Sequence, residues 1–317
     1  MHKRNAELPQ EKRILSIQAD EVGLRLDRYL TSILMSLSRT TVQQLIVDGS
    51  ILVNGQPGKP GYALRSGDEV QVVSLKQKNN AANVKPQLLP LDVVYEDKDL
   101  LVVNKAAGMV VHPAAGHHDN TLVNALVARY PDIQRDGTEQ RPGIIHRLDK
   151  DTSGLIIVAR NAATQVALAE QMKRKEIVKR YLVLVEGVVA LDQGSIDAPI
   201  GRNPRHRQQM AITAVGSRDA RTHFRVLERF QRHTLLLLEL ETGRTHQIRV
   251  HLKAIGHPVV GDPVYGSGSV VRGSTLKRQF LHAYQLRFTH PTTGAVIALE
   301  APLPDDLQAV LDQKSFL

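Results

Sequence analysis

Apolar residues at helical spacing first appear at Leu26, Tyr29, Leu30, Ile33 and Leu34, which predicts a short amphipathic helix. A second helix is expected behind it. Ser38 stands where an N-cap belongs, Val42, Leu45 and Ile46 follow, and Asp48-Gly49 stops the run. Ile51-Leu52-Val53 leading into Asn54-Gly55 reads as a strand and tight turn, and Val70 to Val73 as another strand. The first 20 residues carry no period and read as a polar tail. Residues 74–89, SLKQKNNAANVKPQLL, are polar and aperiodic, which is linker chemistry.

After Pro90 strands and helices are mixed. Val93 to Tyr95 and Leu100 to Val103 are predicted strands around an Asp-Lys-Asp turn. Thr121 to Tyr130 reads as helix, Leu155 to Ala159 as a buried strand, and Asn161 as the cap of a helix running to about Lys175. Tyr181 to Val185 and Thr234 to Leu240 are further strands. Ile248, Leu252 and Ile255 fall at i, i+4 and i+7, with Gly256 and Pro258 beyond, so 246–255 is predicted helical. Strands and helices do not alternate regularly. That favours an α+β architecture over a doubly wound sheet.

Composition narrows the function classes. The chain has 317 residues, 42% hydrophobic and 23% charged, a globular balance with room for two domains. Its net charge of +9 suits a polyanionic partner, nucleic acid before membrane. The absence of cysteine excludes disulfides, thiolate metal sites, iron–sulfur clusters and thiol nucleophiles. No apolar run approaches the roughly 20 residues of a membrane span. The start, MHKRNAELPQEKR, lacks the apolar stretch of a secretory signal, so a cytoplasmic protein is expected.

The densest polar cluster is His146-Arg147-Leu148-Asp149-Lys150-Asp151-Thr152-Ser153-Gly154, set between the apolar runs Ile144-Ile145 and Leu155 to Val158. Three chemistries fit it: a divalent metal on His146, Asp149 and Asp151, an aspartyl-phosphate, or one carboxylate acting on a nucleoside as nucleophile or base. No further ligand spacing and no phosphate loop supports the first two, since His246 and His251 lie five apart, off one helix face. A second cluster, Glu239 to Leu252, holds two arginines and two histidines; Arg249 lies between Ile248 and Val250. An arginine buried there needs a carboxylate partner. Asn104 to Pro113 is a turn-rich loop behind a strong strand. The basic stretch Arg202-Asn203-Pro204-Arg205-His206-Arg207 suits phosphate contact, as do Arg272, Lys277 and Arg278 in a Gly/Ser-rich loop.

These segments together resemble the RluA-type pseudouridine synthases. HRLDKDTSGL at 146–155 is similar to the family's central loop and Asn104 to Pro113 to its NKPxGxxVHP segment. TGRTHQIRVHL at 242–252 with GHPVVGDPVYG at 256–266, and Lys179-Arg180-Tyr181 to Gly187, resemble two more of its motifs. Leu24 to Val73 resembles an S4 RNA-binding domain. Ala106 departs from the family's usual proline, which loosens that loop. The members acting on large-subunit (23S) ribosomal RNA look most similar. The resemblance implies a polar tail at 1–20, an S4-like domain at 21–75, a linker at 76–89 and a catalytic domain at 90–317, the last a mixed, mainly antiparallel sheet with a central cleft.

It further implies isomerisation of uridine to pseudouridine without cofactor or metal. Asp149 matches the essential aspartate, and Tyr181 and Arg249 match the active-site tyrosine and arginine. Arg147, Arg244, His246, Arg202, Arg205, Arg207 and Arg39 are the expected RNA contacts, with Arg25 and Arg28 as further phosphate contacts and Asp151 shaping the loop. The expected partner is ribosomal RNA or a large-subunit precursor, met by a monomer. Transfer RNA as substrate, a non-catalytic ribosome-assembly factor, and a glycosidase with two carboxylates are the alternatives.

Overall fold

The structure, a computed structural model, describes residues 13–34, 37, 39–73, 84–113, 119–133, 142–206, 208–267 and 276–313. The chain divides into two compact units, Met1–Asn83 and Val84–Leu317.

In the first unit the strands β1 (Arg13–Ser16), β2 (Ile51–Val53), β3 (Gln56–Pro57) and β4 (Glu69–Val72) form an antiparallel sheet in the order β1-β4-β2-β3. The helices α1 (Leu26–Ile33) and α2 (Arg39–Val47) lay Leu26, Leu30, Val42, Leu45 and Ile46 on it. Asn54 and Gly55 both take the left-handed conformation, as a two-residue hairpin turn demands. Arg13 to Ser16 corrects the expectation of an unstructured lead-in: the segment pairs along β4, from Arg13 opposite Val72 to Ser16 opposite Glu69. Four residues are too few for a periodic signal, and a distant partner decides their state. Ser38, the expected cap, lies outside the described residues. Asp27, fully buried, joins the two helices by accepting from Arg25 (3.1 Å), Arg39 (2.8 Å) and Gln43 (2.6 Å). The Arg25 hydrogen bond is the chief cause that holds its carboxyl well below the usual range.

In the second unit a nine-stranded sheet runs β5-β6-β7-β14-β8-β13-β12-β9, with β15 on β14. Its strands are β5 (Val93–Glu96), β6 (Leu100–Lys105), β7 (Ser153–Ala159), β8 (Val178–Glu186), β9 (Gln193–Asp197), β12 (Arg221–Arg229), β13 (His233–Leu240), β14 (Leu281–Thr289) and β15 (Val296–Glu300). All pairings are antiparallel except β7 with β14. A separate ribbon pairs β10 (Ile200–Arg202) with β11 (Met210–Ile212). The helices are α3 (Leu122–Arg129), α4 (Ala162–Lys173), α5 (Gln247–Ala254) and α6 (Asp305–Asp312). Both sheet faces are covered. Leu122, Leu126, Ile248 and Leu252 pack with Val103, Ile156, Tyr181 and Leu238 in one core, and Leu168 packs with Val102, Ile157 and Phe288 in another. Strand β7 is buried along its whole length for that reason.

The second half of the polar stretch read as linker is anchored. Asn124 on α3 donates to the Lys85 carbonyl and accepts from the Gln87 amide, and the Gln87 side chain accepts from the Asn120 amide. Among the described residues no helix is long and apolar enough to cross a membrane.

Candidate active site

The charged loop at 146–154 returns the chain to β7, and three cations from three other segments grip three consecutive residues of it. The Lys105 ammonium, at the end of β6, donates to the carbonyls of Lys150 (3.0 Å), Ala106 (2.8 Å) and Met109 (2.9 Å). Burial pushes this lysine down to about 7, against the opposing pull of Asp151 and Asp149. The Arg278 guanidinium donates to the Asp151 carbonyl at 3.0 Å. The Arg249 Nη1 donates to the Asp149 carboxylate at 3.1 Å. Beyond the loop, Ser153 is fixed by His282: the Ala301 carbonyl accepts from Nε2, so Nδ1 accepts the serine hydroxyl at 2.9 Å. Gly154 has φ +111°, and a Cβ there would collide with the backbone of Ala283. Only glycine lets β14 pass so close to the end of the loop.

Arg249 sits on α5 with its side chain 5% exposed and holds two carboxylates. Its Nε and Nη2 meet Asp262 at 2.6 and 2.9 Å, while Nη1 reaches Asp149. The Asp262 Oδ1 also accepts the amides of Val264 and Tyr265, both at 2.9 Å. The Tyr265 ring lies 5.0 Å from the guanidinium carbon. Burial opposes the charge on Arg249, but Asp262 and then Asp149 outweigh it and raise its affinity for its proton. The Asp149 side chain is 17% exposed. Its Oδ1 accepts no hydrogen bond from the described residues, so one oxygen is held and one is open.

Tyr181, on β8, is buried. Burial and then the nearby Asp149 charge push its hydroxyl far up. Asp149, Tyr181 and Arg249 line a single cavity of about 520 Å³, together with Leu148, Leu240 and Ile248. Arg147, Arg244 and His246 line it too. Arg147 is exposed. Arg244 is tethered by its Nε to the Asp219 carbonyl at 3.0 Å. His246 has φ 56°, an unusual left-handed setting for a residue with a side chain. Tyr265 holds it there: the tyrosine oxygen accepts the Met210 amide at 2.8 Å and shares a hydrogen bond with His246 Nδ1 at 2.9 Å. Gln247 pins the preceding turn by accepting from Thr242 and the Arg244 amide and donating to Thr222.

Neither Arg202 nor Arg205 lines the cavity. Arg202 is exposed at the end of β10 and Arg205 in the connection between β10 and β11, Arg39 belongs to the first unit, and Arg207 lies outside the described residues. Arg272 also lies outside them, and Lys277 is exposed. Arg278 is a correction. It is buried, and its Nε and Nη2 meet Asp306 at 2.6 and 2.8 Å, so it supports the loop and offers nothing to a phosphate.

His146, Asp149 and Asp151 do not bring three ligand atoms within reach of one ion; one ring nitrogen of His146 and one oxygen of Asp149 are also already engaged, by the Ile157 amide at 3.1 Å and by Arg249. Among the described residues, Asp97, Asp99 and His290 come close enough to share an ion. They are better read as a hydrogen-bond network. His290 Nδ1 accepts the amides of Thr292 and Thr293, which leaves Nε2–H to donate to Asp97 at 2.8 Å.

Sequence reasoning missed Lys105, Asp262, Tyr265 and Gln247 as parts of the site. Each lies inside a segment that resembles the family, but nothing in the residue pattern shows which polar side chain is buried.

Residues 99–254 match the RNA pseudouridylate synthase family and residues 24–70 match the S4 domain. An uncharacterised RNA pseudouridine synthase of Bacillus subtilis, YlyB, is 47% identical over 94% of this chain and 96% of its own length. Ribosomal large subunit pseudouridine synthase D of Neisseria meningitidis is 42% identical over 95% and 82% respectively, and that of Escherichia coli is 41% identical over 94% and 92%. Among solved structures, human RNA pseudouridylate synthase domain containing 1 is 33% identical with a TM-score of 0.57, covering 71% of this chain and 89% of that one. Identity of this extent across whole chains, with the same fold beneath it, shows that the chain belongs to the RNA pseudouridylate synthases of the RluA type, isomerases that here follow an S4 domain.

Proposed function

We propose that this enzyme isomerises uridines of large-subunit (23S) ribosomal RNA in the cytoplasm, as a monomer without cofactor, with Asp149 as its catalytic residue. One observation carries the reading: the Asp149 carboxylate meets the cavity wall with one oxygen held by Arg249 and the other open, beside Tyr181. Support for the RNA class comes from the relatives named for the ribosomal large subunit and from the net charge of +9.

The reaction breaks C1′–N1, turns the uracil and joins C5 to C1′; the hydrogen leaves C5 and N1 gains one, so nothing is consumed. The open Oδ1 of Asp149 serves as nucleophile or base. Tyr181 keeps its proton at neutral pH, so it stacks on the uracil and takes the C5 proton only by handing its own on to Asp149. Extruding the uridine costs a few kcal/mol, and Arg147, exposed at the cavity, fills the space it leaves. Arg25, Arg28 and Arg39 of the S4 unit, with Arg202, Arg205 and Arg207, hold phosphates and set orientation.

Pseudouridine mapping in cells lacking the protein tests this. Specific 23S sites are expected to be lost, to return with the wild-type protein and to stay absent with Asp149→Asn. Intact 23S sites alongside lost transfer-RNA sites would overturn the substrate, and restoration by Asp149→Asn would overturn the residue.

A further inference from the structure

Lys179 precedes Tyr181 by two residues on β8, so both side chains leave the same face of the strand, about 6–7 Å apart. Both line the cavity. Lys179 is 6% exposed, yet no carboxylate among the described residues meets it; its hydrogen-bond neighbour is the Met172 sulfur at 3.7 Å. A buried ammonium without a counter-charge is costly, and burial pushes this one down to about 8.

His146 deepens the imbalance. Its Nε2 accepts the Ile157 amide, so the neutral ring must carry its hydrogen on Nδ1. That Nδ1 is shielded from solvent and has no partner. Burial and then the neighbouring Lys179 charge hold the ring neutral, down at about 3. Two more lysines, Lys173 and Lys175, line the cavity; Lys175 is engaged by Glu241 at 2.6 Å. Lys179 and His146 therefore bring donors to one place where the weak Met172 sulfur is the one acceptor met among the described residues. Buried polar groups are normally satisfied in a protein's working state, and here the acceptor must arrive with the substrate.

We propose that Lys179, with His146 behind it, forms a subsite for the 5′-phosphate of the extruded uridine. The inference rests on Asp149 and Tyr181 receiving that uridine. An anion is favoured over a uracil carbonyl because the buried group is a full positive charge. The offset between Lys179 and Tyr181 along the strand suits the reach from a stacked base across its ribose to its own phosphate.

The test compares uridine 5′-monophosphate, uridine and inorganic phosphate on the full-length protein. The readout is the NMR signal of the Lys179 side chain, identified by its loss in Lys179→Arg. The monophosphate and phosphate are expected to shift this signal and uridine to leave it in place. The monophosphate should bind about tenfold more tightly than uridine, and Lys179→Met should erase that difference while leaving uridine affinity unchanged. Equal shifts with uridine and its monophosphate would assign the lysine to a base carbonyl and overturn the proposal, and so would no shift with either phosphate. The outcome is independent of turnover, so a failed Asp149→Asn experiment and a failed phosphate subsite remain distinguishable.

Discussion

Asp262→Asn is the most discriminating single change at this site. Asparagine keeps an Oδ1 for the amides of Val264 and Tyr265, so the loop it organises survives. The variant loses the charge opposite Arg249 and turns an NH2 toward the guanidinium. Arg249 is left buried with Asp149 as its one remaining carboxylate. Removing one partner of a buried pair costs about 3–5 kcal/mol; the surviving Asp149 contact places the expected loss near the lower end, about 3 kcal/mol. For a unit of this size that is a fall in melting temperature of roughly 6–12 °C. The catalytic consequence is separate. Freed from Asp262, the guanidinium swings onto both oxygens of Asp149 and ties up the one that is now open. A displacement of that order costs about a hundredfold in rate. Differential scanning calorimetry reads the first effect, and single-turnover tritium release from RNA carrying [5-³H]uridine reads the second. RNA affinity should stay near wild type. A variant that melts within a degree of wild type and turns over normally would refute the view that Asp262 sets the arginine.

Four further outcomes are expected. Tyr181→Phe keeps the ring and should bind RNA normally while slowing single turnover about a hundredfold; a normal rate would remove the hydroxyl from proton transfer. Lys105→Met frees the carbonyls of Ala106, Met109 and Lys150, and should lower the single-turnover rate at least tenfold with the fold retained by circular dichroism. Asp97 is held down at about 2, because hydrogen bonds from Tyr95, Leu100, Asp99 and His290 outweigh its burial. Its stabilising contribution of about 2 kcal/mol is thus fully present above about pH 4 and lost as pH falls toward 2; Asp97→Asn should flatten the acid limb of a stability–pH curve, and an unchanged limb would exclude it. Deleting the S4 unit, residues 1–83, should weaken RNA binding more than it slows the bound reaction, and unchanged affinity in a filter-binding assay would contradict that.

Local signals made the apolar elements legible. The spacing of Ile248, Leu252 and Ile255 with the Gly256 stop announces α5, and Asn161 does cap α4, accepting the Thr164 amide at 2.9 Å. Strands such as β12 were not legible. RTHFRVLER is buried mainly at Thr222 and Phe224, and its charged residues hide the alternation. Strand β14 holds a buried histidine, His282, that an apolar pattern does not count. The site was legible as segments and opaque as a mechanism of support, for one physical reason. Reading hydrophobic against polar positions sends every charge to the surface, whereas Lys105, Arg249, Asp262 and Arg278 are buried, and each has at least one partner that only the fold brings to it. Arg249 shows how far inference reaches. Its flanking apolar residues imply burial, and burial implies a carboxylate, but the rule does not say that two carboxylates share it. That sharing sets what Asp149 has to offer: Asp262 holds the arginine in a bidentate grip, so the arginine holds only one oxygen of Asp149.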